Sequence, residues 1–195
     1  KVSPSDIPVK ETQELWPTSP YAAARVAQDM ISTVYVEGYD FDIVRTRSFN
    51  HLGPGQRAGF VISTIARQVN VVRRSGSPAP PVLLGDTTVT RDFVDVRDVV
   101  RAYHLLLQRG TKGEVYNVCS GVGRSLRDVV LEMAALVGVT VQIQTDPQRL
   151  RPVENKVMVG DPTKIQTGVN WRPLVPFKQS LHDVLQYWES DANPL

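Results

Sequence analysis

Little cysteine and little net charge set the first limits on what this sequence of 195 residues can do. Cys119 is the single cysteine, which excludes an internal disulfide and is typical of a reducing compartment. No apolar run approaches the ~18 residues that a membrane-spanning helix needs, and no signal-peptide pattern opens the chain. A net charge of +2 is too small to indicate nucleic-acid binding. We therefore expect a cytoplasmic protein without a nucleic-acid or membrane partner.

A complete glycine-rich turn for a dinucleotide is also missing from the sequence. Gly121-Val122-Gly123 stands between a predicted strand and a predicted helix, but Leu126 occupies the place of the third glycine. Gly53-Pro54-Gly55 is a poorer candidate, because proline removes an amide donor. We predict that the first of these turns only lets a helix begin, with Ser125 or the glycines at its start.

The sequence supports neither a catalytic triad nor a metal site. The three histidines, His51, His104 and His182, are isolated in the sequence. His104 and His182 fall on amphipathic helices, where packing or a surface position is the better interpretation. We expect no metal site.

Strand and helix patterns alternate along the chain, which predicts an α/β fold. Several segments are too short for regular βαβ units, so we expect the last part of a parallel sheet followed by a small mixed lobe. The predicted helices lie at about 20–38, 59–74, 98–108, 126–137 and 176–189, and the predicted strands at about 41–49, 82–84, 90–98, 113–120 and 139–144. Residues 50–57 are predicted to be a loop at the carboxyl end of a strand, where α/β proteins bind ligands.

The first predicted helix places a tyrosine and a cation one turn apart. Ser19 is a suitable N-cap and Pro20 a suitable first residue. Tyr21 and Arg25, at positions i and i+4, share one face of the helix. A fixed positive charge lowers the pKa of a nearby phenol, whose ordinary value is near ~10, and suits it to proton transfer. The alternative is that Arg25 is a solvated surface charge.

Arginine is the dominant cation, with 16 Arg against 6 Lys. The planar guanidinium suits bidentate binding of phosphates and carboxylates. Four arginines near predicted turns could converge on a diphosphate: Arg67, Arg91, Arg149 and Arg151. The alternative is ion pairing with the neighbouring acids Asp92, Asp95, Asp98 or Asp146.

Several runs, in this order, resemble extended short-chain dehydrogenase/reductases that act on nucleotide sugars. The similarity is greatest to GDP-4-dehydro-6-deoxy-mannose reductases, with GDP-mannose 4,6-dehydratases as near kin, and it spans nearly the whole chain. The runs are Ser19-Pro20-Tyr21, Arg45-Thr46-Arg47-Ser48-Phe49-Asn50-His51, Gly53-Pro54-Gly55-Gln56, Arg91-Asp92-Phe93-Val94-Asp95-Val96-Arg97-Asp98, Tyr116-Asn117-Val118-Cys119-Ser120-Gly121, Arg149-Leu150-Arg151-Pro152 and Gly160-Asp161-Pro162.

The resemblance implies a fold and a set of roles. The chain would be the C-terminal part of a Rossmann-like NAD(P)-binding enzyme. Residues 1–60 would be the last part of the Rossmann-type domain, and residues 61–195 would form a substrate-binding lobe. Tyr21 would be the catalytic acid-base group with Arg25 as the second catalytic residue, and Tyr21, Arg25 and His51 would contact NAD or NADP. The GDP-sugar would be bound by Asn50, Arg67, Arg91, Arg149, Arg151 and Glu154. The Tyr21 helix, with its apolar stripe at 23, 26, 27, 30, 31 and 34, would pack in a homodimer.

Two departures from the family pattern limit this expectation. Arg25 replaces the lysine of the family's Tyr-x-x-x-Lys, and a planar fork does not substitute conservatively for an ammonium. The resemblance also places the glycine-rich half and the partner Ser/Thr before Lys1, so we expect this chain alone not to hold NAD(P) and to be inactive. The expected oxidoreductase activity of the complete enzyme is reduction of the C4 ketone of a GDP-4-dehydro-6-deoxyhexose. Dehydratase, epimerase and non-catalytic binding module remain alternatives.

Overall fold

The computed structural model describes residues 2–76, 78–150 and 155–189. The helices are α1 (Pro20–Tyr39), α2 (Val61–Arg74), α3 (Val96–Arg109), α4 (Leu126–Leu136), α5 (Thr163–Val169) and α6 (Phe177–Tyr187). The strands are β1 (Arg45–Ser48), β2 (Asn50–Leu52), β3 (Val82–Leu84), β4 (Thr90–Asp95), β5 (Val115–Val118), β6 (Gly123–Ser125), β7 (Ile143–Thr145) and β8 (Val157–Met158). This mixture confirms the predicted α/β class. None of the described helices is long and apolar enough to cross a membrane.

Strand β4 is the centre of the largest sheet. It pairs in parallel with β2 and β8 and antiparallel with β6. Two further pairs, β1 with β5 and β3 with β7, are both parallel. The sequence pattern predicts neither β6, β8 nor α5, because segments of two to seven residues are too short to show a period.

The chain changes sheets at Phe49. The amide of Phe49 donates to the carbonyl of Val118 at 3.0 Å, at the end of the β1–β5 pair. Asn50 then pairs with Phe93 of β4. The prediction of a loop from residue 50 was therefore wrong for its first three residues, and the predicted strand at 41–49 begins only at Arg45. Polar side chains at 50 and 51 obscured a strand whose stability comes from its pairing with β4.

Two apolar clusters form the core. The larger cluster joins α2, α4 and α6 with β3 and includes Ile65, Val69, Val130, Met133 and Leu181. The smaller cluster joins α3, α5 and β5 and is centred on the fully buried Trp171. Val94 of β4 belongs to the smaller cluster and Phe93 to the larger, because successive strand residues point to opposite faces. The predicted division at residue 60 stays a prediction.

Helix α1 lies apart from both clusters. None of its 20 residues is buried. Most of the predicted apolar stripe is exposed, including Met30, Ile31 and Val34. The helix passes Gly38 and ends at Tyr39, where Asp40 adopts the left-handed conformation with φ 59° and receives the Lys112 ammonium. Because α1 buries no residue, ion pairs and hydrogen bonds contribute to its attachment.

Candidate active-site cleft

Four predicted site residues border one cleft of 1210 Å³: Tyr21, Arg25, Asn50 and His51. One wall is the first half of α1, and the floor is β1, β2 and the loop that follows. Val96 and Tyr103 of α3 contribute from another side, and the Tyr103 hydroxyl lies 2.8 Å from Ser48 Oγ. Residues distant in sequence thus line one cleft.

Tyr21 is positioned by the start of α1. The hydroxyl of Ser19 accepts a hydrogen bond from the Ala22 amide at 3.1 Å, and Pro20 is the first helical residue, which confirms the predicted cap. Tyr21 is 76% exposed. Arg25 Nη1 donates to Gln28 Oε1 at 2.8 Å, which leaves other guanidinium donors available to the cleft. The phenol and the cation therefore border the same space.

A group that we call the Asp29 clamp, comprising Asp29, Arg45 and Arg47, fastens α1 to β1. Asp29 Oδ1 accepts from Arg45 Nη1 at 2.9 Å, and Oδ2 accepts from Arg47 Nη2 at 2.8 Å. Arg45 also donates to Thr33 Oγ1 and to the Gly113 carbonyl, and Arg47 to the Glu11 carbonyl. The three side chains are 14 to 24% exposed, so solvent screens these pairs only partly. The clamp orients the helix that carries Tyr21.

His51 is held neutral by its surroundings. Burial lowers the pKa of the imidazole, because desolvation disfavours the charged form. Nε2 is buried without a hydrogen-bond partner among the described residues. The Gln56 side-chain amide donates to the His51 carbonyl at 2.8 Å and fixes the turn after β2. At neutral pH the cleft therefore contains an uncharged imidazole beside Asn50.

Arg91 lies in the β4 ladder beside the cleft residue Met158. In the β4 ladder, Met158 lies opposite Arg91 on one side and Arg124 lies opposite on the other. Residues directly opposite in neighbouring strands point to the same face, so the three side chains form a row. Met158 borders the cleft. Arg91 Nη1 donates to the carbonyls of Thr90 and Asn155 at 2.9 Å.

The other predicted arginines lie outside the cleft lining. The guanidinium of Arg67 lies over the ring of Trp188, 5.4 Å from its centroid. Arg149 forms an ion pair with Asp146 at 3.0 Å, one of the pairings that the sequence left open. Arg151 and Glu154 lie outside the described residues.

The amide of Gly121, in the glycine turn, binds the buried carboxylate of Asp92. Asp92, fully buried, accepts from the Ser120 amide and hydroxyl at 2.8 and 2.6 Å, and from the Gly121 and Gly160 amides at 2.9 and 3.2 Å. Burial raises the pKa of Asp92 despite these hydrogen bonds. A Cβ on Gly160 would lie 2.6 Å from Phe49 and Cys119, so only glycine allows this close approach. Ser125 caps α4 by accepting from the Asp128 amide, as predicted for a helix start.

Comparison with known proteins finds relatives of the kind that the sequence motifs indicate. A family model described as GDP-mannose 4,6 dehydratase matches residues 3–184. The chain belongs to this family. Its sequence is 35% identical over 190 residues to GDP-6-deoxy-D-mannose reductase of Pseudomonas aeruginosa, covering 97% of this chain and 62% of the relative. GDP-mannose 4,6 dehydratase of Cricetulus griseus is 28% identical over 200 residues, covering 93% and 53%. The predicted resemblance is confirmed.

Solved structures of relatives show the same architecture. RMD from Pseudomonas aeruginosa complexed with NADPH superposes with a TM-score of 0.90 at 34% identity, over 97% of this chain and 62% of that one. The dTDP-glucose 4,6-dehydratase of Bacillus anthracis in complex with NAD gives 0.79 at 26% identity, over 93% and 55%. The chain therefore has the fold of the Rossmann-like nucleotide-sugar enzymes and spans between half and two thirds of their length.

Sequence reasoning missed two groups, the Asp29 clamp beside the cleft and Arg124 in the β4–β6 ladder. The Asp29 clamp joins residues 16 and 18 positions apart through side chains, and it has no local sequence signal because α1 contains several other polar residues. Arg124 had no signal of its own, because its position opposite Arg91 depends on the antiparallel register of β6.

Proposed function

We propose that this chain is the substrate-binding part, with the catalytic tyrosine, of a nucleotide-sugar reductase. The reaction is reduction of the C4 ketone of a GDP-4-dehydro-6-deoxyhexose. The observation that carries the proposal is the gathering of Tyr21, Arg25, Asn50 and His51 around one cleft. The 35% identity to a GDP-6-deoxy-D-mannose reductase supports the choice of substrate class.

Each cleft residue has a role that its chemistry can perform. The Tyr21 hydroxyl donates a proton to the ketone oxygen as charge develops there, and the Arg25 guanidinium stabilises the phenolate that remains. The Asn50 amide orients the sugar by donating to or accepting from its hydroxyls. The neutral imidazole of His51 excludes water beside the reacting carbon without adding charge.

The cleft fits only one end of NAD or NADP. A phenol, a guanidinium and an uncharged imidazole suit the nicotinamide ribose and ring. Among the described residues, the glycine turn at Gly121 has its amide committed to Asp92 and offers no phosphate cradle. The dinucleotide, when bound, supplies the hydride. Its diphosphate would be held by residues outside those described here.

The GDP-sugar would extend from the cleft toward Arg91, which is opposite the cleft residue Met158. We include Arg67, Arg149, Arg151 and Glu154 in the wider substrate site as the resemblance implies. The exposed stripe of α1, with Met30, Ile31 and Val34, suits a homodimer contact.

A second candidate function is nucleotide-sugar binding without turnover. Arg25 favours it, because the family's lysine would place a compact ammonium near the ribose and arginine does not reproduce that geometry. Dehydratase and epimerase activities on the same class of substrate differ from reduction in groups outside the described residues.

Calorimetric titration of the chain with GDP-mannose and separately with NADPH tests the proposal. We expect GDP-mannose to bind and NADPH to bind far more weakly. UDP-glucose and dTDP-glucose serve as controls for the base, and Asn50→Ala should weaken GDP-mannose binding while leaving the thermal midpoint unchanged. Absence of binding by every sugar nucleotide would contradict both candidate functions.

A further inference from the structure

Two arginines face each other across the β4–β6 ladder. Arg91 and Arg124 are directly opposed in antiparallel register. Directly opposed side chains have Cβ atoms about 5 Å apart, so the two arginines leave the ladder side by side on one face. Guanidinium groups bind phosphates through charge-assisted hydrogen bonds. The register therefore brings two phosphate-binding side chains to the same part of the sheet.

Arg124 is held in place without using its hydrogen-bond donors. Its guanidinium lies over the ring of Phe177, 4.0 Å from the centroid, and makes no hydrogen bond or ion pair within the described residues. Phe177 in turn contacts the buried Phe93, with ring centroids 6.1 Å apart. A guanidinium packed on an aromatic face loses little mobility on binding a ligand and still presents N–H groups at its edge.

The surrounding charge also favours an anion. Phe177 is the first residue of α6, an 11-residue helix with no acidic residue in its first turn. The N-terminal end of a helix carries partial positive charge. This field adds to the guanidinium charge of Arg124, which lies over Phe177.

The distance to the cleft suits a nucleotide sugar. Met158, Arg91 and Arg124 occupy three adjacent strands, and Met158 borders the cleft. Strands are about 4.8 Å apart, so the backbone of Arg124 lies about 10 Å from that of Met158. A sugar in the cleft would therefore direct its diphosphate across Arg91 toward Arg124.

We propose that Arg124 is a diphosphate-binding residue that acts together with Arg91. This assignment rests on the proposed function for the identity of the ligand, a nucleoside diphosphate sugar. The anion site itself rests on the ladder register and on the contact between Arg124 and Phe177.

The test is titration calorimetry of the chain with GDP, with guanosine and with inorganic pyrophosphate. Arg124→Gln should raise the dissociation constant for GDP at least tenfold, leave that for guanosine within twofold and reduce the salt dependence of GDP binding. Arg124→Lys should give a dissociation constant for GDP between those of wild type and Arg124→Gln, because lysine keeps the charge but lacks the planar guanidinium. Arg127→Gln is the matched control, since Arg127 is an exposed arginine three residues away. Circular dichroism and the thermal midpoint verify that each variant is folded.

The outcomes separate this inference from the proposed function. If GDP binds equally well to wild type and to Arg124→Gln, the role of Arg124 is overturned and the nucleotide-sugar function stands. If pyrophosphate binding depends on Arg124 but GDP and GDP-mannose do not bind, the anion site is supported and the nucleotide-sugar function fails. If no probe binds the wild type, both are overturned.

Discussion

Neighbouring residues of β4 serve opposite faces of the sheet. Arg91 points toward the proposed ligand, whereas Asp92 points inward and accepts hydrogen bonds from Ser120, Gly121 and Gly160. The carboxylate therefore ties the strand that carries Arg91 to two separate turns. Any movement of those turns would shift the arginine.

Replacement of Asp92 tests this tie. In Asp92→Asn, the new amide would oppose the Gly121 and Gly160 N–H groups, so both of these donors lose their acceptor. We expect a loss of about 2–4 kcal/mol in the free energy of unfolding, measured by urea denaturation. Asp42→Asn, at an exposed position, is the control. Equal stability of the two variants would show that the carboxylate is not a structural centre.

His51 gives the molecule a pH dependence. The unfolded chain protonates this histidine below about pH 6.5, whereas burial lowers its pKa in the folded state. The unfolded state then binds more protons, so stability should fall as the pH decreases from about 6.5 toward the folded pKa. Because His51 is only half buried, we expect its contribution at pH 5.5 to be below about 1.4 kcal/mol.

Urea denaturation between pH 7.5 and 5.5 measures this contribution. His51→Gln should flatten the decline. His104→Gln, which removes an exposed histidine, serves as the control and should retain more of the decline. A decline that persists unchanged in His51→Gln would mean that other groups cause it.

At the scale of elements, α1 is unusual for a helix that borders the cleft, because it has no buried residue. Its start could be predicted from Ser19, Pro20 and the i to i+4 spacing, since capping depends on neighbours in sequence. The attachment of α1 could not be predicted, because Asp29 pairs with Arg45 and Arg47 only when β1 lies beside the helix.

Breaking the Asp29 clamp should release α1 without unfolding the rest. In Asp29→Asn, both arginines lose their ion pair, at a cost of about 2 kcal/mol. Amide hydrogen exchange in α1 should then accelerate about 30-fold, since each 1.4 kcal/mol is a factor of ten. Exchange in α2 should stay unchanged.

Glu37→Gln, on the same helix and exposed, is the matched control and should leave α1 exchange unaltered. Acceleration in α1 and α2 alike would contradict a local clamp and indicate global destabilisation.

The pairing of strands explains which parts of the site the sequence revealed. Arg149 with Asp146, three residues apart, and the Ser125 cap are local and could be predicted. The strand switch at Phe49 and the opposition of Arg91 and Arg124 depend on partners distant in sequence. Family resemblance located Tyr21, Asn50 and His51, and only the folded chain gathers them around one cleft.

At the scale of the whole molecule, Asp98 joins the last part of the chain to α3. Its carboxylate is 2% exposed and accepts from the Leu174 and Val175 amides at 2.9 Å each. Its carbonyl accepts from Trp171 Nε1 at 2.9 Å. The segment between α5 and α6 is thereby fixed, and with it the position of Phe177.

Asp98→Ala should therefore weaken the entire fold. Two backbone amides would lose their acceptor, which costs about 2–4 kcal/mol. The thermal midpoint should fall by roughly 5–15 °C in a protein of this size. Glu132→Ala, at a partly exposed position of α4, should change it by less than about 2 °C. Similar midpoints for both variants would contradict the role of Asp98.

Because α1 is attached by polar contacts, added salt should affect the stability of α1 and of the apolar core in opposite directions. Sulfate is excluded from apolar surface and strengthens the cluster of α2, α4 and α6. The same ions screen charge and weaken the Asp29 clamp. Added sodium sulfate should slow amide exchange in α2 and speed it in α1. Added sulfate would therefore weaken the attachment of α1, which carries Tyr21, while it stabilises the packing of α2, α4 and α6.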